Sequence, residues 1–167
     1  MAKILKDFRV VELGTYITGP AAGMHLADLG ADVIKVERPG TGDPFRSFKG
    51  GLYSPHYQTY NRNKRSIALN TREPGDLKVF HDLVATADVF IQNFRPGVAD
   101  TAGAGEAHLR PANPSLDYCP ITGSGASAPH LDRPTSPPLS LAPVAYLRRP
   151  CPRATPRLPR HLRTLTA

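Results

Sequence analysis

The sequence predicts an α/β fold: a mostly parallel sheet with helices on its faces. Short β-branched runs closed by Gly or Pro alternate with stretches of helical period from residue 8 to residue 121. Composition limits where that fold extends. All fourteen Gly and all six Phe lie before residue 126, whereas nine of the eighteen Pro fall in 126–167, so the chain divides into an α/β part, 1–125, and a Pro/Arg-rich tail, 126–167.

The first strand is read from Phe8, Val10, Val11 and Leu13, an apolar run ended by Gly14. A helix follows, with Thr18 as its cap, Pro20 in its first turn, and Ala21, Ala22, Met24, Leu26 and Leu29 as its apolar side before Gly30. Residues 31–37 make the second strand through Val33, Ile34 and Val36, and Pro39-Gly40 closes it. The polar connection 38–64 is long for a simple loop, which marks it as a place for functional groups.

The pattern then repeats. Residues 66–69 read as strand, and Pro74 opens a helix on which Leu77, Phe80, Leu83, Val84 and Ala87 recur at helical spacing. Residues 88–92 are the next strand, 93–97 a turn, 98–109 a weak helix and 116–121 a last short strand. The prolines of the tail interrupt every candidate helix and deny donors to any central strand, so disorder or loose attachment is expected there, with Leu139 to Leu147 as an adhesive apolar stretch.

The net charge of +7 does not describe the α/β part. The tail carries seven Arg (Arg133, Arg148, Arg149, Arg153, Arg157, Arg160, Arg163) against one acid, Asp132, so the excess positive charge is its property. Nucleic acid is a poor candidate partner, because only Tyr146 is interleaved among those arginines. Cys119 and Cys151 are spaced for neither a zinc cluster nor a redox pair, and the six His form no ligand motif, so no metal is expected. The amino terminus lacks a signal-peptide core and no run is long enough to span a membrane, which leads to the expectation of a soluble, cytoplasmic chain.

Three segments bear on chemistry. Gly14 to Pro20 joins a strand to a helix, where backbone N–H groups and the helix dipole favour an anion, although a capped turn is the simpler reading. Asn61 to Arg65 concentrates cations suited to phosphate, or else is a solvated loop. Asn93 to Gly97 stands at the carboxyl end of a strand, where Phe94 can stack on a base and Arg95 can meet a phosphate, or else it is a turn with an exposed Phe, the two readings standing even. Thr122-Gly123-Ser124-Gly125 has Thr where a nucleophile elbow needs Gly, which excludes a serine hydrolase.

Taken in order, Arg9-Val10-Val11-Glu12-Leu13, Gly19-Pro20, Leu26 through Pro39, Gly42-Asp43, Asn61 through Ile67, Ala87 through Gly97 and Asn113-Pro114 through Gly123 resemble the opening of family III CoA transferases. The resemblance covers about residues 1–134. It implies a Rossmann-like CoA-binding domain, incomplete here, acting on acyl-CoA and a carboxylic acid, with a homodimer as the family's assembly. Carried over by position, Thr15, Tyr16, Ile17 and Thr18 line the pantetheine and thioester end of coenzyme A, and Arg38 faces the nucleotide. Leu69 and Arg72 flank the adenine and its phosphates, and Asn93 and Phe94 form the next wall.

The departures begin at the composition break. Pro120, Ser124 and Ala128 stand where the family has Ser, an aromatic and Gly, and Thr135 to Pro138 follow Arg133-Pro134 where it continues Gly-Tyr-Asp. The family's nucleophile is an Asp that attacks the thioester and then carries CoA, which splits one hard acyl exchange into easier steps. After Asp132 this chain contains no Asp or Glu, so no catalytic residue is assigned and a frameshifted or truncated, inactive transferase is expected. The alternative is a non-enzymatic α/β module whose basic tail binds a polyanion.

Overall fold

A computed structural model of the chain describes residues 3–48, 54–123 and 125. The expectations for the tail therefore lie outside the described residues. The strands are β1 (Arg9–Leu13), β2 (Asp32–Glu37), β3 (Arg65–Ala68), β4 (Val89–Gln92) and β5 (Asp117–Pro120). They form one sheet in the order β3-β2-β1-β4-β5, with every pairing parallel. The helices are α1 (Thr18–Asp28), α2 (Pro55–Asn61), α3 (Pro74–Ala85), α4 (Val98–Thr101) and α5 (Glu106–Leu109), and a single 3-10 turn spans Pro44–Arg46.

Alternation along the central strands divides the core between two faces, because successive side chains of a strand point to opposite sides. Val10, Val33 and Ile91 pack with Ala27 and Ala31 beneath α1. Val11, Val36 and Phe90 pack with Phe80 and Val84 of α3 and with Leu109 and Leu116. The Phe80 and Phe90 rings meet edge to face at 5.8 Å, and Tyr118 closes on Phe90 at 5.5 Å.

All five expected strands form where their residues predict, and three details differ. Thr18 is the first helical residue of α1 and not its cap, which is Ile17 with no side-chain bond. The connection 38–64 contains α2, a helix that buries only Tyr57 and Asn61 and so shows no periodic apolar signal. The single weak helix expected over 98–109 is two short helices, because Gly103 takes φ +67 and interrupts the ladder between them.

Asn113 ties the end of α3 to the strand that follows. Its side-chain amide donates to the carbonyls of Val84 (3.2 Å), in the last turn of that helix, and Ala87 (2.7 Å), just beyond it. Asn113→Ala takes this donor from the Ala87 carbonyl, while the Val84 carbonyl keeps the Ala87 N–H, and urea titration is expected to show a loss of about 1–2 kcal/mol with an unchanged slope.

Candidate functional site

The chain runs from β1 outward through β2 to β3, then returns to β4 on the other side of β1. That reversal places a topological switch point between the carboxyl ends of β1 and β4, where open parallel sheets leave a crevice for ligands. Leu13-Gly14-Thr15 forms one lip and Gln92-Asn93-Phe94 the other.

Asn93 stitches the lips together. Its Oδ1 accepts from the Thr15 N–H (2.9 Å), and its Nδ2 donates to the Thr15 carbonyl (2.8 Å) and to Thr18 Oγ1 (2.9 Å). Gly14 and Gly19 make room for it, since a Cβ at either would lie 3.1–3.2 Å from the Asn93 side chain. Gln92 Oε1 accepts from the Phe94 N–H at 2.7 Å and so fixes the start of the turn.

A cavity of about 970 Å³ lies over the carboxyl ends of β1, β2 and β3, with Val98 and Thr101 of α4 among its lining residues. Its volume is at the upper end of the range that takes small ligands. Of the nine residues expected at the site, Thr15, Arg38, Leu69, Arg72 and Phe94 line it. Asn93 lies beneath the crevice as described, and Thr18 is bonded to it. Tyr16 and Ile17 are about half exposed beside the crevice, with the Tyr16 ring edge-on to Phe45 at 5.3 Å.

Arginine pairing separates the cavity from the rest of the surface. Arg9 and Arg65 meet Asp32, Arg46 meets Glu37, Arg62 meets Asp28 and Arg110 meets Glu106. Arg38 and Arg72, which line the cavity, have no acidic partner among the described residues, nor does Arg95 on the adjoining turn. Two guanidinium groups at one cavity with no acidic partner among the described residues suit an anionic ligand with several oxygens.

The cationic run Asn61 to Arg65 has a different outcome. Arg62 and Asn63 bond to Asp28, Arg65 bonds to Asp32, and Lys64 is buried against Glu12, so each cation of the run has a carboxylate partner within the fold. It stands at the amino end of β3, away from the cavity.

The floor beneath the crevice is ionic, which the sequence analysis missed. Lys35 Nζ donates to Glu12 Oε1 and to the Gly14 carbonyl, both at 2.8 Å, and lies 3.0 Å from Asp43 Oδ2, an ion pair whose alignment falls short of a hydrogen bond. Lys64 Nζ donates to Glu12 Oε2 (2.6 Å), the Pro20 carbonyl (2.7 Å) and Asn61 Oδ1 (3.1 Å). Burial pushes the Lys64 ammonium below its usual range against the pull of Glu12. The available signal was position: Glu12 and Lys35 sit in central parallel strands, which are covered on both faces.

A second network adjoins it. The Glu37 carboxylate accepts from Arg46 (2.6 and 2.7 Å), the Asp43 N–H (2.9 Å), Tyr57 Oη (2.8 Å) and Ser66 Oγ (3.0 Å). Burial pushes the Glu37 carboxyl up, but these donors together overcome it and hold it at about 2. Burial and the Glu37 charge push the Tyr57 phenol well above its usual value. Among the described residues no cluster of His, Cys, Asp and Glu is arranged to hold a metal, and no helix is long and apolar enough to cross a membrane.

A doubly wound parallel α/β sheet with a cavity over the carboxyl ends of its strands belongs to the class of α/β folds whose ligand sites open at that edge. The family profile described as CoA-transferase family III matches residues 5–142, and the chain belongs to that family. It is 42% identical over 130 residues to the succinyl-CoA:glutarate CoA-transferase of Homo sapiens, covering 76% of this chain and 30% of that protein. It is also 42% identical over 137 residues to the succinate–glutarate CoA-transferase of Agrobacterium fabrum, covering 77% and 34%. A CAIB/BAIF family protein from Brucella suis superposes with a TM-score of 0.83 at 34% identity, covering 95% of this chain and 44% of that one. The chain thus spans about a third of the length of the relatives it matches.

Proposed function

We propose that this chain carries the coenzyme-A-receiving crevice of a family III CoA transferase. The observation that supports this reading best is the pair Arg38 and Arg72, both lacking an acidic partner among the described residues, at one cavity with buried Leu69 and with Phe94. Those two cations meet phosphate oxygens, Leu69 and Phe94 offer apolar surface to the base, and Thr15 receives the pantetheine end. The reaction served is CoA exchange between an acyl-CoA and a carboxylic acid, as the names of the relatives suggest. A homodimer and a cytoplasmic location belong to the same proposal.

Binding and turnover separate in this reading. Residues 133–167 contain no Asp or Glu that could serve as the family's carboxylate nucleophile, so these 167 residues tested by themselves are expected to bind CoA without exchanging it. Calorimetric titration of the chain with CoA tests the first part. Arg38→Ala and Arg72→Ala are each expected to weaken binding roughly tenfold or more, with the salt dependence reduced in both. No binding by the parent chain, or binding that neither substitution alters, overturns the proposal. Mixing the chain with succinyl-CoA and glutarate tests the second part, and steady formation of glutaryl-CoA would show that another group serves as nucleophile.

A further inference from the structure

Three consecutive residues at the β1–α1 junction have their backbones held by three side chains from elsewhere in the fold. Lys35 of β2 donates to the Gly14 carbonyl at 2.8 Å. Asn93 engages both the N–H and the carbonyl of Thr15. Asp43, which follows β2, accepts the Tyr16 N–H on Oδ1 at 3.4 Å. The same Oδ1 accepts the Phe45 N–H at 2.8 Å at the start of the 3-10 turn, and Oδ2 pairs with Lys35 at 3.0 Å.

The third anchor has strain to oppose. Tyr16 takes φ +62, a left-handed conformation unfavourable for a bulky residue, and it persists only where its surroundings impose it. The exposed Tyr16 ring, touching Phe45 at its edge, is a weak candidate for that task. Asp43 is a strong one. Its side chain is fully buried, its own N–H is bound by Glu37, and it reaches Gly14 through Lys35 as well as Tyr16 directly.

We propose that Asp43 is a positioning residue for the crevice, holding the Gly14–Tyr16 backbone through Lys35 and the Tyr16 N–H so that the thioester end of the ligand meets a preformed loop. The inference rests on the reading of the cavity as a CoA site. Such preorganisation removes an ordering cost that binding would otherwise carry. Asp43 also lines the cavity, but the backbone it anchors, Gly14 to Tyr16, lies at the end that Thr15 lines, whereas Arg38, Leu69 and Arg72 come from the ends of β2 and β3, so the thioester end is where its loss is expected to tell.

The test compares two probes on the full 167-residue chain: CoA, and adenosine 3′,5′-bisphosphate, which carries the nucleotide end alone. With Asp43→Asn, the dissociation constant for CoA is expected to rise roughly tenfold while that for the bisphosphate stays within about twofold. A merely structural role for Asp43 weakens both together, and that result, or no change in either, overturns the proposal. Amide hydrogen exchange decides the positional claim independently of any ligand. In the parent chain the Tyr16 N–H is expected to exchange at least about tenfold more slowly than the Ile17 and Thr18 N–H groups, and Asp43→Asn is expected to abolish that difference. If the parent chain binds neither probe yet Tyr16 is protected, the CoA reading falls and the anchoring stands. If Tyr16 exchanges as fast as Ile17 in the parent chain, the anchoring falls even where Asp43→Asn fails to fold.

Discussion

Replacing Glu12 with Gln is expected to cost about 3–5 kcal/mol of stability, the range typical of breaking a buried ion pair by removing one partner. Among the described residues Glu12 is the only anion that Lys64 touches and one of two that Lys35 touches, and all three side chains are at most 2% exposed. An amide in its place leaves the buried Lys64 ammonium without a carboxylate in contact and Lys35 with Asp43 alone. Urea titration by far-UV circular dichroism reads the loss, and a change below about 1 kcal/mol would mean that water reaches the cluster. Gly23→Ala attacks the same group from α1, because its Cβ would overlap Glu12 Oε2. The two substitutions remove one interaction by different routes, so the double variant is expected to be far less than additive.

A cluster of this kind is weak support for stability as such, since well-packed apolar residues usually serve a core at least as well. What it does here is specific to the crevice. Apolar side chains at 12 and 35 could fill the space, but none could donate to the Gly14 carbonyl or hold Asp43 in reach of the Tyr16 N–H. The ionic floor therefore explains how a glycine-flanked junction keeps one conformation over an otherwise open cavity.

The parts of the fold legible in the sequence are those whose burial is periodic. Val10 and Val11, Val33 and Val36, and Phe80 and Val84 alternate or recur as their elements require, and those strands and helices form as read. Helix α2 was illegible because its Tyr57 is buried for a hydrogen bond to Glu37 and its Asn61 for one to Lys64, contacts set by tertiary structure rather than period. Of the site, Arg38 and Arg72 enter through the family resemblance alone, because no local pattern sets them apart from the other arginines. Asn93 was named as a wall, and its place under the crevice depends on Gly14 and Gly19 coming together across the junction, which no local pattern displays. The cations of Asn61 to Arg65 read as free only because their partners Asp28, Asp32 and Glu12 lie 33 or more residues away in the chain.

Acid is expected to destabilise the fold in a window that Glu37 defines. Its carboxyl is held at about 2 in the folded chain against an ordinary value of 4.5, so the folded state binds its proton later than the unfolded state does. The contribution is complete above pH 4.5, declines as the pH falls from 4.5 toward 2, and is gone below that. At neutral pH it amounts to about 2–3 kcal/mol, the lower part of the range allowing for solvent screening on the side of Arg46, which is 27% exposed. Asp28 and Asp32 are also held low by their arginine partners, so the total acid sensitivity exceeds this share. Glu37→Gln isolates it: the variant is expected to be less stable than the parent chain at pH 7, with the gap narrowing steadily below pH 4.5 and closing near pH 2. Equilibrium unfolding in urea at a series of pH values provides both curves. A gap that stays constant from pH 7 to pH 2 would place the role of Glu37 in packing rather than charge, and with it the bonds from Arg46 and Tyr57 that shape the rim of the cavity beside Arg38.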